Sequence, residues 1–164
     1  MPFVYALQSA QLATNFTTSG TANTEVDHCF IKPGTRNIAL ISLLVGGKAA
    51  GLTAISGIAF RIKKWTTTAA SGGTAAVPTP RDPGMQAAKA TAGMSASAGV
   101  TAGTGGPTFL GGCLCGAAGP GGWVAPNPDA AHTLEGSATQ SLDIFSVSGT
   151  VSLNFDITNL EFQE

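Results

Sequence analysis

The sequence predicts an all-β fold, an antiparallel β-sandwich whose expected form is a jelly roll with long loops rich in Gly, Ala, Thr and Pro. Apolar and polar residues alternate along several short segments, which is the period of a strand with one buried face. Long stretches with apolar residues three and four apart, which would indicate helices, are nearly absent. An immunoglobulin-like sandwich is the alternative, and a length of 164 residues favours a single domain over 1–164.

Three strands are predicted in the first half of the chain, over residues 24–31, 36–45 and 56–68. The first ends before the turn formers Pro33 and Gly34. The second is a continuous Ile, Leu and Val run, which we expect to be buried on both faces. In the third, Phe60 alternates with Arg61 and Lys63, so one face is expected to be buried and the other to carry the charges.

Residues 38–60 contain only one charged side chain, Lys48, and resemble a membrane span in their average composition. Gly46, Gly47 and Lys48 divide this stretch into two pieces of roughly ten residues, whereas a helical span needs about 20. We therefore expect two strands joined by a turn, and no membrane segment.

The clearest alternation lies near the C-terminus, where every second position of 151–157 is apolar. The phase then changes, which predicts a β-bulge near Thr158 and Asn159. A similar change separates Ile144 from Phe145 in the preceding predicted strand. We expect these two strands to form a hairpin, because only a short turn separates them.

Residues 69–107 consist almost entirely of Ala, Gly, Thr, Ser and Pro, a composition that buries little apolar area. We predict a long extended loop here, stiffened around Arg81 and Asp82 by three prolines. A second turn region lies near Trp123, whose ring would anchor it. The N-terminal residues 1–20 are a candidate for an extended arm.

No arrangement of residues in the sequence predicts catalysis. His28 stands between Asp27 and Cys29, but neighbouring residues on a strand point to opposite faces and cannot form a relay by themselves. We expect His28, and likewise His132, to pack or to cap a loop. The chain is therefore predicted not to be an enzyme.

Cofactor, metal and nucleotide sites are not predicted either. Cys113 and Cys115 share one face of a strand, but a zinc site would need further ligands from a distant Cys29 or a histidine. The glycine-rich stretches lack the spacing of phosphate-binding loops. Because the three cysteines are an odd number, we expect free thiols.

Charge is scarce, since 10% of residues are charged against roughly a quarter in average soluble domains. Weak repulsion between copies suits a protein that becomes part of an assembly. The net charge of −1 and the scattered basic residues argue against nucleic-acid binding. The first residues lack the pattern of a signal peptide, so we expect the chain to be made and kept in a cytoplasm.

Several segments resemble structural proteins of tailed-bacteriophage virions, in particular capsid decoration (cement) proteins. They are the stretch ISGIAFRIKKWTTT over 55–68, the Gly72-Gly73-Thr74 turn, PTPRDP over 78–83, CGAAGPGGWVAPN over 115–127 and GTVSLNF over 149–155. The resemblance covers about two-thirds of the chain and brings no catalytic residues with it.

The resemblance implies a head decoration protein of the virion, made in the host bacterial cytoplasm, that associates with itself as a homotrimer and with the major capsid protein. Residues 69–107 and the N-terminal arm are expected to make the contacts. The candidate interface residues are Phe3, Tyr5, Trp65, Arg81, Asp82 and Trp123. The alternatives are a minor head or tail component, or a receptor-binding, lectin-like module that stacks sugars on exposed aromatic rings.

Overall fold

In a computed structural model of the chain, the structure describes residues 3–9, 16–17, 24–48, 58–95, 99–105, 108–115, 120–125, 132–147 and 154–164. These residues contain fifteen strands: β1 Val4–Leu7, β2 Phe16–Thr17, β3 Glu25–Lys32, β4 Ile38–Lys48, β5 Ile58–Trp65, β6 Ser71–Gly72, β7 Thr74–Ala76, β8 Thr79–Pro80, β9 Thr91–Met94, β10 Val100–Thr101, β11 Thr108–Cys115, β12 Gly121–Val124, β13 His132–Leu134, β14 Ser141–Val147 and β15 Asn154–Gln163. Within these ranges no helix is long and apolar enough to cross a membrane.

The strands form two antiparallel sheets that pack face to face, which confirms the predicted all-β sandwich. The first sheet has the order β12-β4-β15-β1-β8, with β13 also paired to β4 and β2 to β15. The second sheet has the order β11-β5-β14-β3-β9-β7. A separate two-stranded ribbon is made by β6 and β10.

Most connections cross from one sheet to the other. The chain enters the first sheet at β1 and the second at β3, and returns to the first at β4 and the second at β5. After β11 in the second sheet, it passes to β12 and β13, then to β14, and ends on β15. The predicted hairpin between the last two strands is wrong, because β14 pairs with β3 and β5 whereas β15 pairs with β4 and β1.

The core lies between the sheets and is lined by the apolar positions that the alternation identified. On β15 the four buried side chains are Phe155, Ile157, Leu160 and Phe162. The register with β4 shifts between Ile157 and Asn159, which confirms the predicted bulge. An extra residue there restores the apolar face of the strand to the core.

One expectation for the first half of the chain is wrong, and another holds only in part. Strand β4 continues through Gly46 to Lys48, so no turn interrupts it there. Its burial on both faces holds over only part of its length, because Ala39 and Ser42 on the outer face are each 7% exposed whereas Leu44 on that face is 40% exposed. An antiparallel sheet of this kind can leave one face to solvent.

The segment 69–107 is not a long extended loop where the structure describes it. It contains five short strands, and β9 extends the second sheet by pairing with β3. Ala76, Ala92 and Met94 are buried in the main core. Small side chains bury little area each, but they let the backbone pack closely and pair.

The N-terminal arm is also not borne out within residues 3–9. Strand β1 pairs with β15 on one side and with β8 on the other, and Tyr5 and Leu7 are fully buried. The Tyr5 hydroxyl donates a hydrogen bond to the Gln86 carbonyl oxygen at 3.0 Å. Residues 1–2, 10–15 and 18–20 of the expected arm lie outside the described residues.

Candidate functional site

A short antiparallel ribbon, residues 66–73 and 99–105, lies over the outer face of the second sheet, and we call it the flap. Its two halves are joined by the β6–β10 pairing and by a bridge between Thr68 and Thr104. Glycine at 103 is required for its close approach, because a Cβ there would lie 2.5 Å from the Cγ atom of Trp65. The flap therefore covers the Trp65 ring.

Beneath the flap, Asp143 accepts hydrogen bonds from two side chains. Trp65 Nε1 donates to one carboxyl oxygen at 2.7 Å, and Ser141 Oγ donates to the other at 2.8 Å. The backbone of Gly103 also acts on this carboxyl group, in the direction that lowers its pKa. Ser141 Oγ in turn accepts a hydrogen bond from the N–H of Ala70 at 3.0 Å. One fully buried carboxyl group thus organises the polar contacts under the flap.

Burial raises the pKa of Asp143 to about 7, although its hydrogen bonds act in the opposite direction. Asp27, on the neighbouring β3 strand, adds to this rise by charge repulsion. The pKa of Asp27 itself is raised by burial, and its Oδ1 atom accepts no hydrogen bond. Two acidic groups with raised pKa values therefore lie close together on the outer face of the second sheet.

Lys63 was expected on an exposed charged face, but it is only 4% exposed. Its Nζ atom lies 2.5 Å from a Glu25 carboxylate oxygen and 3.7 Å from the centroid of the Phe145 ring. The ammonium group is thus held across β14 by an ion pair and a cation–π contact. The alternation correctly predicts that Arg61 and Lys63 point away from the core. It does not show that part of this outer face is covered.

His28 lies inside the sandwich at a bulge that the sequence did not reveal. Ile144 pairs with Cys29 and Phe145 with Asp27, so His28 is the extra residue of β3. Both His28 and Cys29 are consequently buried, and the expectation that they point to opposite faces is wrong.

The buried ring of His28 contacts both a hydroxyl group and the aromatic core. Its Nε2 atom is 2.8 Å from Ser146 Oγ, and its centroid is 4.7 Å from that of Phe155. Burial lowers the pKa of His28 to about 4, so the ring is neutral near pH 7. His28 and Ser146 are 1% and 0% exposed, so a substrate cannot reach this pair.

The three cysteines are free thiols, as expected. Cys29 and Cys115 are fully buried, and Cys113 is half-buried. Burial raises the pKa of Cys113 to about 11, which keeps the thiol protonated and weakly nucleophilic. Among the described residues, no group of three or more His, Cys, Asp and Glu side chains could hold a metal ion.

The predicted interface residues divide into buried and accessible ones. Tyr5 and Trp65 are 0% and 8% exposed, so in the isolated chain they are packing residues and not surface residues. Phe3 and Trp123 are partly buried against the core. Arg81 and Asp82 are exposed, as a contact surface requires.

Arg81 fastens the turn after β8 to the first sheet. Its guanidinium donates hydrogen bonds to a Glu161 carboxylate oxygen and to Asn159 Oδ1, each at 2.8 Å. Asp82 instead accepts a hydrogen bond within its own turn, from the N–H of Gly84. The Arg81–Glu161 ion pair is partly exposed, so solvent screens it.

We expect Arg81→Ala to lower the free energy of unfolding by no more than about 1 kcal/mol, because exposed ion pairs contribute little. Urea denaturation of the variant and of the wild-type protein measures the difference. Lys89→Ala, at another exposed basic residue, is the control. A loss well above 2 kcal/mol would show that this contact supports the fold itself.

Four large apolar side chains are exposed among the described residues: Leu44, Val77, Leu114 and Val124. Leu44 and Val124 lie on adjacent strands on the outer face of the first sheet. Leu114 is 72% exposed and lines an open groove of about 480 Å³ on β5 and β11, together with Arg61 and Gly112. These are the apolar surfaces available to a protein partner.

Asp143 was missed as a functional residue in the sequence. The one available signal was an acidic residue between Leu142 and Ile144, in a strand whose other positions are mostly apolar. An acidic residue at an outer position usually faces water, and nothing in the sequence shows that residues 99–105 fold over it.

Comparison with known proteins does not place the chain in a family. No family model matches the sequence, and neither the curated proteins nor the solved structures give a match. The strand order, the exposed apolar groups and the buried polar cluster are therefore the observations from which function is inferred.

Proposed function

We propose that this chain is a structural protein of a bacteriophage virion, a capsid decoration protein that stabilises the head through protein–protein contacts. The observation that carries the proposal is the strand order of the sandwich, which is compatible with a jelly roll, a fold common in viral capsid domains. The sequence segments that resemble virion proteins support the same role.

The order of neighbouring strands supports the proposal of a jelly roll. In chain order, the eight main strands are β1, β3, β4, β5, β11, β12 together with β13, β14 and β15. In the first sheet, β1 lies beside β15, β15 beside β4, and β4 beside β12. In the second sheet, β3 lies beside β14, β14 beside β5, and β5 beside β11. A jelly roll, which consists of two Greek keys, would have the same order of neighbours, and this supports the proposal.

A decoration protein binds through surface area, and exposed apolar groups supply it. Leu114, its groove and Val124 lie near the edge where β11 and β12 approach each other. We propose that this edge contacts the major capsid protein or a second copy in a homotrimer. Each Å² of apolar area removed from water contributes about 25 cal/mol, and repetition around a shell multiplies the effect.

A receptor-binding, lectin-like module is the second candidate function, because jelly rolls also occur in lectins. Such a module needs an exposed aromatic platform. Tyr5 and Trp65 are buried, and the Trp123 ring packs over Gly111, where a Cβ would lie 2.5 Å from its Nε1 atom. These three aromatic rings therefore give little support to an exposed sugar-binding platform.

We expect the chain to be present in purified particles of the phage that encodes it, at a copy number comparable with that of the major capsid protein. Leu114→Asp should weaken binding of the recombinant protein to stripped heads by at least about tenfold, because it buries a charge in an apolar contact. Val77→Asp, at a residue 75% exposed elsewhere on the surface, is the matched control. Quantitative mass spectrometry and a pull-down on heads measure both.

Particles that lack the chain would rule out the virion role. If Val77→Asp but not Leu114→Asp abolished binding, the contact would lie on the 69–107 segment instead. Glycan binding by the wild-type protein that is lost in Trp123→Ala would favour the receptor-binding alternative.

A further inference from the structure

Lys63 and Glu25 bring an amine and a carboxyl group together on the outer face of the second sheet. They belong to β5 and β3, the two strands that flank β14, so the Lys63 side chain reaches across β14. Its Nζ atom is 2.5 Å from a Glu25 carboxylate oxygen. Since a carboxylate carbon lies about 1.25 Å from its oxygens, Nζ is no more than about 3.8 Å from Glu25 Cδ. Groups poised to react lie about 3–3.5 Å apart, so attack of this amine on this carbon requires little movement.

The amine of Lys63 is confined, because aromatic rings enclose it. Its Nζ atom lies 3.7 Å from the centroid of the Phe145 ring and 5.4 Å from that of Trp65. The side chain of Lys63 is 5% exposed, whereas that of Glu25 is 44% exposed. The amine is thus held in a nearly water-free position, and the carboxyl group meets it from the solvent side, where a leaving water molecule can depart.

We propose that Lys63 and Glu25 condense to an isopeptide bond, a covalent cross-link between β5 and β3. A proton passes from the ammonium group to the Glu25 carboxylate, and the free electron pair of Nζ then attacks Cδ. The C–N bond forms as one C–O bond breaks, and the oxygen leaves as water with the two protons that Nζ has lost. The reaction consumes no oxidant, reductant or further reactant.

Asp27 is placed to carry the second proton from the nitrogen to the leaving oxygen. It stands two residues after Glu25 on β3, before the bulge, and therefore on the same face. Its carboxyl group interacts electrostatically with both Lys63 and Glu25. Burial raises the pKa of Asp27, and its Oδ1 atom accepts no hydrogen bond. A carboxyl group with a raised pKa and one unengaged oxygen can accept a proton and donate another.

Burial favours the amide over the ion pair. An ammonium ion removed from water carries a desolvation cost, and condensation replaces two charges with one neutral group. The cation–π contact with Phe145 stabilises the ammonium form, so we expect the bond to form slowly, after folding has brought the two groups together. Once formed, the bond closes a loop over 25–63 and restricts the unfolded chain, as a disulfide does.

The mass of the intact protein tests the proposal, because condensation removes one water molecule, about 18 Da. Recombinant protein that is kept folded at neutral pH and then denatured should be lighter by this amount than its sequence requires. Tandem mass spectrometry of a protease digest should show the peptide that contains Glu25 joined to the one that contains Lys63. The full sequence mass in folded wild-type protein, or a loss of water that maps to other residues, would overturn the proposal.

Lys63→Arg keeps the positive charge but should have the full mass, since a guanidinium group stays protonated. Lys64→Arg is the matched control, because Lys64 Nζ donates instead to the Thr133 carbonyl oxygen, and this variant should keep the loss of water. Asp27→Asn should slow formation of the bond by at least about tenfold in a time course of intact mass, and an unchanged rate would contradict the role given to Asp27. If these variants do not fold, the mass and the cross-link map of the wild-type protein decide the matter. None of these results depends on whether the chain is a virion protein.

Discussion

Phe155→Ala is expected to lower the free energy of unfolding by about 3–5 kcal/mol, the usual cost of truncating a buried phenylalanine. Phe155 belongs to the first sheet and is fully buried. Its ring lies edge-on to Phe60 and to His28 of the second sheet, at centroid distances of 4.6 Å and 4.7 Å. The substitution therefore leaves a cavity between the sheets and removes two aromatic contacts that join them.

Denaturation by guanidinium chloride at constant pH measures this effect. Val124→Ala is the control, because Val124 is 63% exposed and its truncation should change the free energy of unfolding by no more than about 0.5 kcal/mol. The two variants remove apolar atoms from a buried and an exposed position of the same sheet. A loss below about 1 kcal/mol for Phe155→Ala would show that its ring does not join the two sheets.

The C-terminal strand shows how much of the fold can be predicted from local sequence. Which side chains of β15 face the core, and where its bulge lies, follow from the alternation, because burial of one face leaves a trace in neighbouring residues. The identity of the partner strands leaves no such trace in neighbouring residues. The closest neighbours of β15 are β4 and β1, far away in the sequence, and this is why the predicted hairpin with β14 was wrong.

The structural role of glycine and alanine was the hardest to predict from the sequence. The sequence of 69–107 has the composition of a loop, yet a Cβ at Gly93 would lie 2.5 Å from the ring of Phe30. Glycine is needed there because β9 passes close to a large side chain of β3. A composition that indicates flexibility when read alone can instead reflect close packing.

The buried polar cluster could not be predicted for a related reason. Alternation correctly places Asp143 and Lys63 on an outer face, but it cannot show that another part of the chain covers that face. The orientation of His28 was predicted wrongly because a bulge in β3 turns its side chain to the core. Such an inserted residue can be recognised only once the strand register is known. In both cases the decisive information lies in contacts between distant residues.

His28 and Asp143 are expected to make opposite contributions to the pH dependence of stability. The pKa of His28 is about 4 in the folded chain and near 6.5 in an ordinary environment, so the unfolded chain binds the proton more readily. Lowering the pH from 7 to 5 through His28 therefore favours unfolding. The pKa of Asp143 is about 7, against an ordinary 3.8, so the folded chain binds that proton more readily and the same change favours folding.

We predict that between pH 7 and 5 each group changes the free energy of unfolding by about 2 kcal/mol, in opposite directions, because one pKa unit corresponds to about 1.4 kcal/mol. The wild-type protein should consequently show little net change in this range. His28→Gln should gain stability as the pH falls, and Asp143→Asn should lose it. Urea denaturation at pH 5, 6 and 7 measures the three slopes. Parallel slopes in both variants would mean that at least one of the two groups titrates in the folded chain as it does in water.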